Sequence, residues 1–162
     1  MLALVIGIYL LLCTWVWSFT MDDAFISFRY AKHIADGVGP IWNLADKAEP
    51  VEGFTTFLYV WLLGGLRLAT RGDPVLLGKI AGVAAMLLLA ASVATAIRRQ
   101  AVTATAALVG LSFLVLPFAA LNSVSGMETS LFMLCNWLCT MAAVRAVENT
   151  APGRSGGSFS SV

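Results

Sequence analysis

The sequence predicts an all-α, polytopic membrane protein with about four transmembrane helices and a long first outer loop carrying membrane-surface helices. Three observations predict it. Hydrophobic residues make up 59% of the 162-residue chain and charged residues 12%, about half the share of a soluble domain. The apolar residues fall in long runs with short polar breaks, and mean hydropathy is +0.86. Ionisable groups gather between Thr20 and Thr55. That stretch holds Asp22, Asp23, Asp36, Asp46, Glu49 and Glu52, together with Arg29, Lys32, His33 and Lys47. A membrane protein that concentrates its charges in one loop points to that loop for its chemistry.

The net charge of +1 gives neither a basic footprint for nucleic acid nor an acidic tail. Cys13, Cys135 and Cys139 all lie in apolar runs, with no CxxC and no disulfide framework. The last two share a helix face, a spacing that fits small packing residues better than a metal or redox site.

Leu2 to Phe19 is apolar throughout and long enough, at roughly 27 Å as a helix, for a first span. The basic start and small-residue cleavage site of a signal peptide are absent from it. A helix follows. Thr20 and Asp23 fit a T-x-x-D variant of the capping box, and Gly37 supplies a stop. On it Asp22, Arg29, His33 and Asp36 fall on one face, within about 40° of Asp22, which predicts a surface helix with one polar stripe. Turn-rich sequence runs from Gly39-Pro40 to Glu49-Pro50. Phe54 to Leu68 is apolar but, at roughly 22 Å, short for a span. Arg71-Gly72-Asp73 reads as a turn before Pro74. Val75 to Ile97 is a full span with Lys79 near its start, followed by Arg98-Arg99. Ala101 to Leu121 is a further span with Pro117 near its end. Asn122 to Thr129 is a polar break, and Ser130 to Val147 is the last span. Residues 1–147 form one membrane-embedded module with its outer loop at 20–74, and 148–162 form a Gly/Ser-rich tail expected to be disordered.

Arginine placement decides the short run. If Phe54–Leu68 crosses, Arg98-Arg99 and Arg145 fall on the side of the acidic loop. If it does not, both lie opposite, with the amino terminus, as the positive-inside rule favours, while Arg67 and Arg71 stay on the loop side against it. Four spans and one non-crossing helix are therefore expected, with Asn122–Thr129 on the acidic side.

Several residues are candidates for chemistry. Asp22 and Asp23 can hold a hard divalent cation, or one can act as general base; helix capping is the structural alternative. Arg29, roughly 10 Å along the same face, can pair with a carboxylate or clamp a phosphate. His33 is the lone histidine and on a polar face reads as solvated. Glu52 sits where the loop returns to the membrane, able to position a sugar hydroxyl or lead a helix. Lys79, a cation inside an apolar run, calls for a partner such as a lipid phosphate, or snorkels to the interface. Ser125 and Glu128 fit an S-x-x-E capping box.

The ordered set DDAFISFRYAKHIADGVGPIWN, PVEGFTTFLYVWLL and SGMETSLF resembles the amino-terminal part of GT-C-type glycosyltransferases, most closely the terminal β-(1→2) arabinofuranosyltransferase branch. The resemblance covers roughly Leu2 to Val147. It implies an inverting, multi-pass enzyme of the cytoplasmic membrane. Such an enzyme moves a sugar, here arabinofuranose, from a polyprenyl-phosphate donor to a cell-envelope glycan acceptor on the outer face. It implies a catalytic role for Asp22 and Asp23, as base or as ligands of Mg²⁺, Mn²⁺ or Ca²⁺, and substrate-binding roles for Arg29, Glu52 and Glu128. Lys79 is expected to touch the donor. Family members run to several hundred residues, so a separate carboxy-terminal portion is an expected partner beside the lipid bilayer. A mannosyl or other sugar transferase on the same scaffold, and a catalytically inert membrane subunit, are the alternatives.

Overall fold

A computed structural model describes residues 2–43, 53–99 and 111–150. Every regular element among them is helical. The elements are α1 (Leu2–Trp15), α2 (Ala24–Ala35), α3 (Phe57–Thr70), α4 (Pro74–Arg99), a 3-10 turn (Ser112–Val115), α5 (Pro117–Val124) and α6 (Thr129–Thr150). Two of them, α4 and α6, are long and apolar enough to cross a membrane, whereas α1 and α3 are shorter apolar helices.

The rods alternate in direction. Lys79, near the start of α4, donates from Nζ to the carbonyl oxygens of Trp17 (2.7 Å) and Phe19 (2.5 Å), just past the end of α1. So α4 begins where α1 stops. Residues 88–96 of α4 line a cavity with residues 137–145 of α6, so these two helices run side by side in the same direction. α5 returns to the end where α4 starts. One apolar core joins the four rods, built on Tyr9, Cys13, Met86, Leu89, Leu114 and Leu134.

α2 and α3 form a parallel pair at that end. Phe28, Ala31, Tyr59 and Leu63 make their shared core. Ile34 lies against Gly64, and Arg67 Nη2 lies 3.7 Å from an Asp36 carboxylate oxygen. α3 thus ends on the side from which α4 departs.

Several expectations are corrected locally. The first run is helical only to Trp15 and then turns through residues 16–18, so it is shorter than a span over Leu2–Phe19. The run placed at Ala101–Leu121 is described only from Leu111. There it breaks: Leu116 is extended (φ −76°, ψ 129°) and Pro117 restarts a helix, because proline suits the first helical turn and disfavours a helical residue before it. The tail expected to be irregular from Glu148 is helical to Thr150, and 151–162 lie outside the described residues. The face expected to be a polar stripe on α2 is divided, since His33 is 6% exposed while Asp22 and Arg29 are exposed.

Two stops follow the sequence signals. Gly37 (φ +76°) closes α2 in a Schellman arrangement, with Val38 N–H bonded to His33 O (3.0 Å) and Gly37 N–H to Ile34 O (3.1 Å). Asp73 Oδ2 accepts the Leu76 N–H (3.1 Å) and caps α4 ahead of Pro74, so the Arg71-Gly72-Asp73 turn is a helix start.

Candidate functional site

Three stretches far apart in sequence meet where α1 ends and α4 and α6 begin. The first is the turn Met21-Asp22-Asp23, the second the first turn of α3, and the third Ser125-Gly126-Met127-Glu128. Met21 N–H donates to Ser125 O (2.9 Å), and Tyr59 Oη donates to Gly126 O (2.6 Å). The third stretch is therefore held on one side by the acidic turn and on the other by α3.

Gly126 is required at this junction. Its φ of +81° is one that side-chain-bearing residues rarely adopt, and a Cβ there would stand 2.5 Å from Phe28 Cζ and 3.2 Å from Ala24 Cβ. Gly78 opens space on the other side of the same ring, where a Cβ would meet Phe28 Cε1 at 2.7 Å. Phe28 thus locks α2 against both α4 and the Ser125–Glu128 turn. Tyr59 is 3% exposed, and burial, then the negative charge of Glu128, push its phenol above the ordinary range. It is a neutral donor to Gly126 at every physiological pH.

Asp22 and Asp23 are both exposed on this turn, and neither carboxylate has a hydrogen-bond or ion-pair partner among the described residues. Their backbone carbonyls carry the entry into α2, accepting from Phe25 N–H and Ile26 N–H (both 3.1 Å). The expected capping box is not formed. Asp23 is itself helical (φ −63°, ψ −24°) and makes no side-chain cap bond. Two free, adjacent carboxylates suit a hard cation such as Mg²⁺, which takes one or two carboxylates and keeps water for the rest. Among the described residues no group of three or more His, Cys, Asp or Glu side chains converges.

The other predicted residues are distributed unevenly. Glu128 is half-buried at the start of α6, where its carbonyl accepts Phe132 N–H (2.8 Å). Ser125 Oγ bonds Met127 N–H (3.2 Å) and Asn122 O (2.9 Å), closing the turn before α6 and not the expected box with Glu128. Glu128 also borders an apolar groove of about 220 Å³ between α3 and α6, lined by Thr56, Phe57, Tyr59, Leu131 and Phe132. Arg29 points away from Asp22: its guanidinium carbon stacks 4.4 Å from the Trp42 ring centre, and Nη2 makes a long 3.5 Å contact to Asn43 Oδ1. Glu52 lies outside the described residues. Its neighbour Gly53 is anchored by an N–H bond to Tyr30 Oη (3.0 Å). His33 is buried, and its Nδ1 must carry the proton because the group facing it at 2.5 Å is the Ile41 carbonyl oxygen. Lys79 is 5% exposed and has two carbonyl partners inside the protein, so this cation in an apolar helix is bonded within the fold.

Tyr59, Phe28 and Gly126 organise this site, and sequence reasoning did not single them out. The available signal was a tyrosine inside an apolar helix, since a buried phenol seeks a partner for its hydroxyl. Its partner, a backbone carbonyl far along the chain, leaves no trace in side-chain identity.

No protein family, curated protein or solved structure matches the chain.

Proposed function

We propose that the chain is the membrane-embedded core of a GT-C-type glycosyltransferase. It moves a sugar, arabinofuranose in our reading, from a polyprenyl-phosphate donor to a cell-envelope glycan at the outer face of the cytoplasmic membrane. The observation that carries the proposal is the convergence of Asp22-Asp23, the first turn of α3 and Ser125–Glu128 at one end of the helical bundle. Exposed aromatic side chains also gather there, including Trp15, Trp17, Phe57, Trp61 and Phe132, as at a membrane–water interface. Arg98 and Arg145 lie at the far ends of α4 and α6 and face the cytoplasm under this reading. α4 and α6 are the two crossings on which this reading rests.

In the reaction one of Asp22 and Asp23 takes the proton of the acceptor hydroxyl as its oxygen bonds to the anomeric carbon. The bond from that carbon to the phosphate oxygen breaks on the opposite face, its electron pair leaving with the phosphate, and the configuration inverts. General-base help of this kind contributes about 10²–10⁴-fold. A divalent cation, held by the two aspartates when bound, would neutralise negative charge developing on the leaving phosphate. Glu128, at the edge of the groove, accepts hydrogen bonds from sugar hydroxyls. The Arg29 guanidinium, stacked on Trp42, offers its free edge to a phosphate.

The test is transfer in proteoliposomes from labelled polyprenyl-phosphate arabinofuranose to an arabinan acceptor. A product of inverted anomeric configuration is expected. Preference for a mannosyl donor would reassign the sugar, and no transfer from either donor would favour an inert membrane subunit.

A further inference from the structure

Resting on the membrane-spanning reading of α6, we propose that this helix pairs with the α6 of a second copy of the chain through a stripe centred on Asn136. Only Ser130 and Leu134 of α6 are buried, and 6% of its apolar window is covered by the rest of the protein. Phe132, Asn136, Cys139 and Ala143 lie within about 40° of the direction opposite Leu134. All four are exposed.

Asn136 is the informative member. It stands roughly 10 Å inside the helix, at hydrocarbon depth if α6 crosses a membrane. Its Nδ2 donates to Phe132 O (2.9 Å), and the amide oxygen and second N–H have no partner among the described residues. Lipid tails supply neither a donor nor an acceptor, and polar groups inside membranes ordinarily face protein. A side-chain amide offers one donor and one acceptor at a single position, so two copies related by a two-fold axis satisfy each other. The neighbouring sequence fits like against like. Phe132, Asn136, Cys139, Ala143, Ala146 and Thr150 follow alternating steps of four and three, the heptad spacing of two helices wrapped in parallel. The small residues below Asn136 let the backbones approach.

Cys139 lies one turn below Asn136 on the same stripe and reports the contact directly. The full chain carrying Cys13→Ala and Cys135→Ala would be expressed in membranes, washed at alkaline pH and oxidised with copper phenanthroline. A disulfide-linked species of twice the chain mass is expected. Asn136→Leu should lower the cross-linked fraction roughly three- to tenfold at fixed protein-to-lipid ratio, while Asn136→Gln retains it. Release of the protein by the alkaline wash would overturn the membrane reading and the pairing together. Retention without cross-linking, or with equal cross-linking in Asn136→Leu, would overturn the pairing alone. A product of any other mass would overturn the second copy as the occupant.

Discussion

Replacing Tyr59 with phenylalanine removes one oxygen atom and isolates the bond that holds the Ser125–Glu128 turn to α3. That bond is short, 2.6 Å, and its donor is 3% exposed. A typical buried hydrogen bond contributes about 1 kcal/mol net, and leaving its acceptor dry and unpaired costs about 1–3 kcal/mol. A destabilisation of ~1–3 kcal/mol is therefore expected. It is measurable as a lower midpoint for exposure of the buried Cys13 thiol to a reactive dye, with Cys135 and Cys139 replaced by serine. Stability alone does not locate the effect. Tyr9→Phe provides the control, because Tyr9 Oη donates to Ser123 Oγ (2.7 Å) inside the bundle and makes no bond to the Ser125–Glu128 turn. Both variants should melt earlier. Only Tyr59→Phe should speed hydrogen exchange at the Met21 amide, whose acceptor is Ser125 O. Unchanged exchange at Met21 in Tyr59→Phe, or equal acceleration in both variants, would refute the clasp.

Three further outcomes follow from the packing. Gly82→Ala should cost about 1–3 kcal/mol, because its Cβ would overlap the Ser123 carbonyl oxygen. Gly65→Ala has nothing within 4 Å and should be neutral or stabilising by about 0.5–1 kcal/mol; parallel melting curves check the pair, and equal effects would contradict the close approach of α4 and α5. Lys79→Met should destabilise the fold by removing the donor to the Trp17 and Phe19 carbonyls, seen as a lower midpoint in the same dye assay, whereas a stable variant with weakened donor binding would restore a lipid-phosphate role. Single cysteines at the exposed positions Phe25 and Arg98, in a background without native cysteines, should differ in reaction with an impermeant thiol reagent on intact cells. Labelling at 25 but not at 98 is expected, and the reverse would invert the proposed orientation.

The sequence made the long elements legible because hydropathy and local stop signals act within a few residues. α4 and α6 fall where unbroken apolar runs stand, and Gly37 and Asp73 mark boundaries by local hydrogen bonds. The arginines and the shortness of the third run gave an expectation about which helices cross a membrane, and that expectation concerns the bilayer rather than the packing of the helices. What did not show was set by tertiary contact. His33 reads as solvated because a helical wheel cannot see the chain fold back to offer the Ile41 carbonyl. Lys79 reads as a cation seeking a lipid phosphate or the interface, because the backbone oxygens it meets carry no residue signature. Ser125 and Glu128 match a capping box in letters, but α6 begins later, at Thr129, and Ser125 Oγ is spent on its own turn. The meeting of the Met21-Asp22-Asp23 turn with Gly126 and Tyr59 is likewise a product of packing, made by bonds to backbone oxygens that no motif carries.

The assignment of chemistry to the acidic turn is tested most directly by sugar transfer in Asp22→Asn and Asp23→Asn beside the wild type, with melting midpoints measured on the same preparations. Neither carboxylate has an internal partner among the described residues, so both variants should keep the wild-type midpoint. At least one should lose transfer by about 10²–10⁴-fold, the contribution of a positioned general base. Near-wild-type turnover in both variants, with the fold intact, would contradict the account.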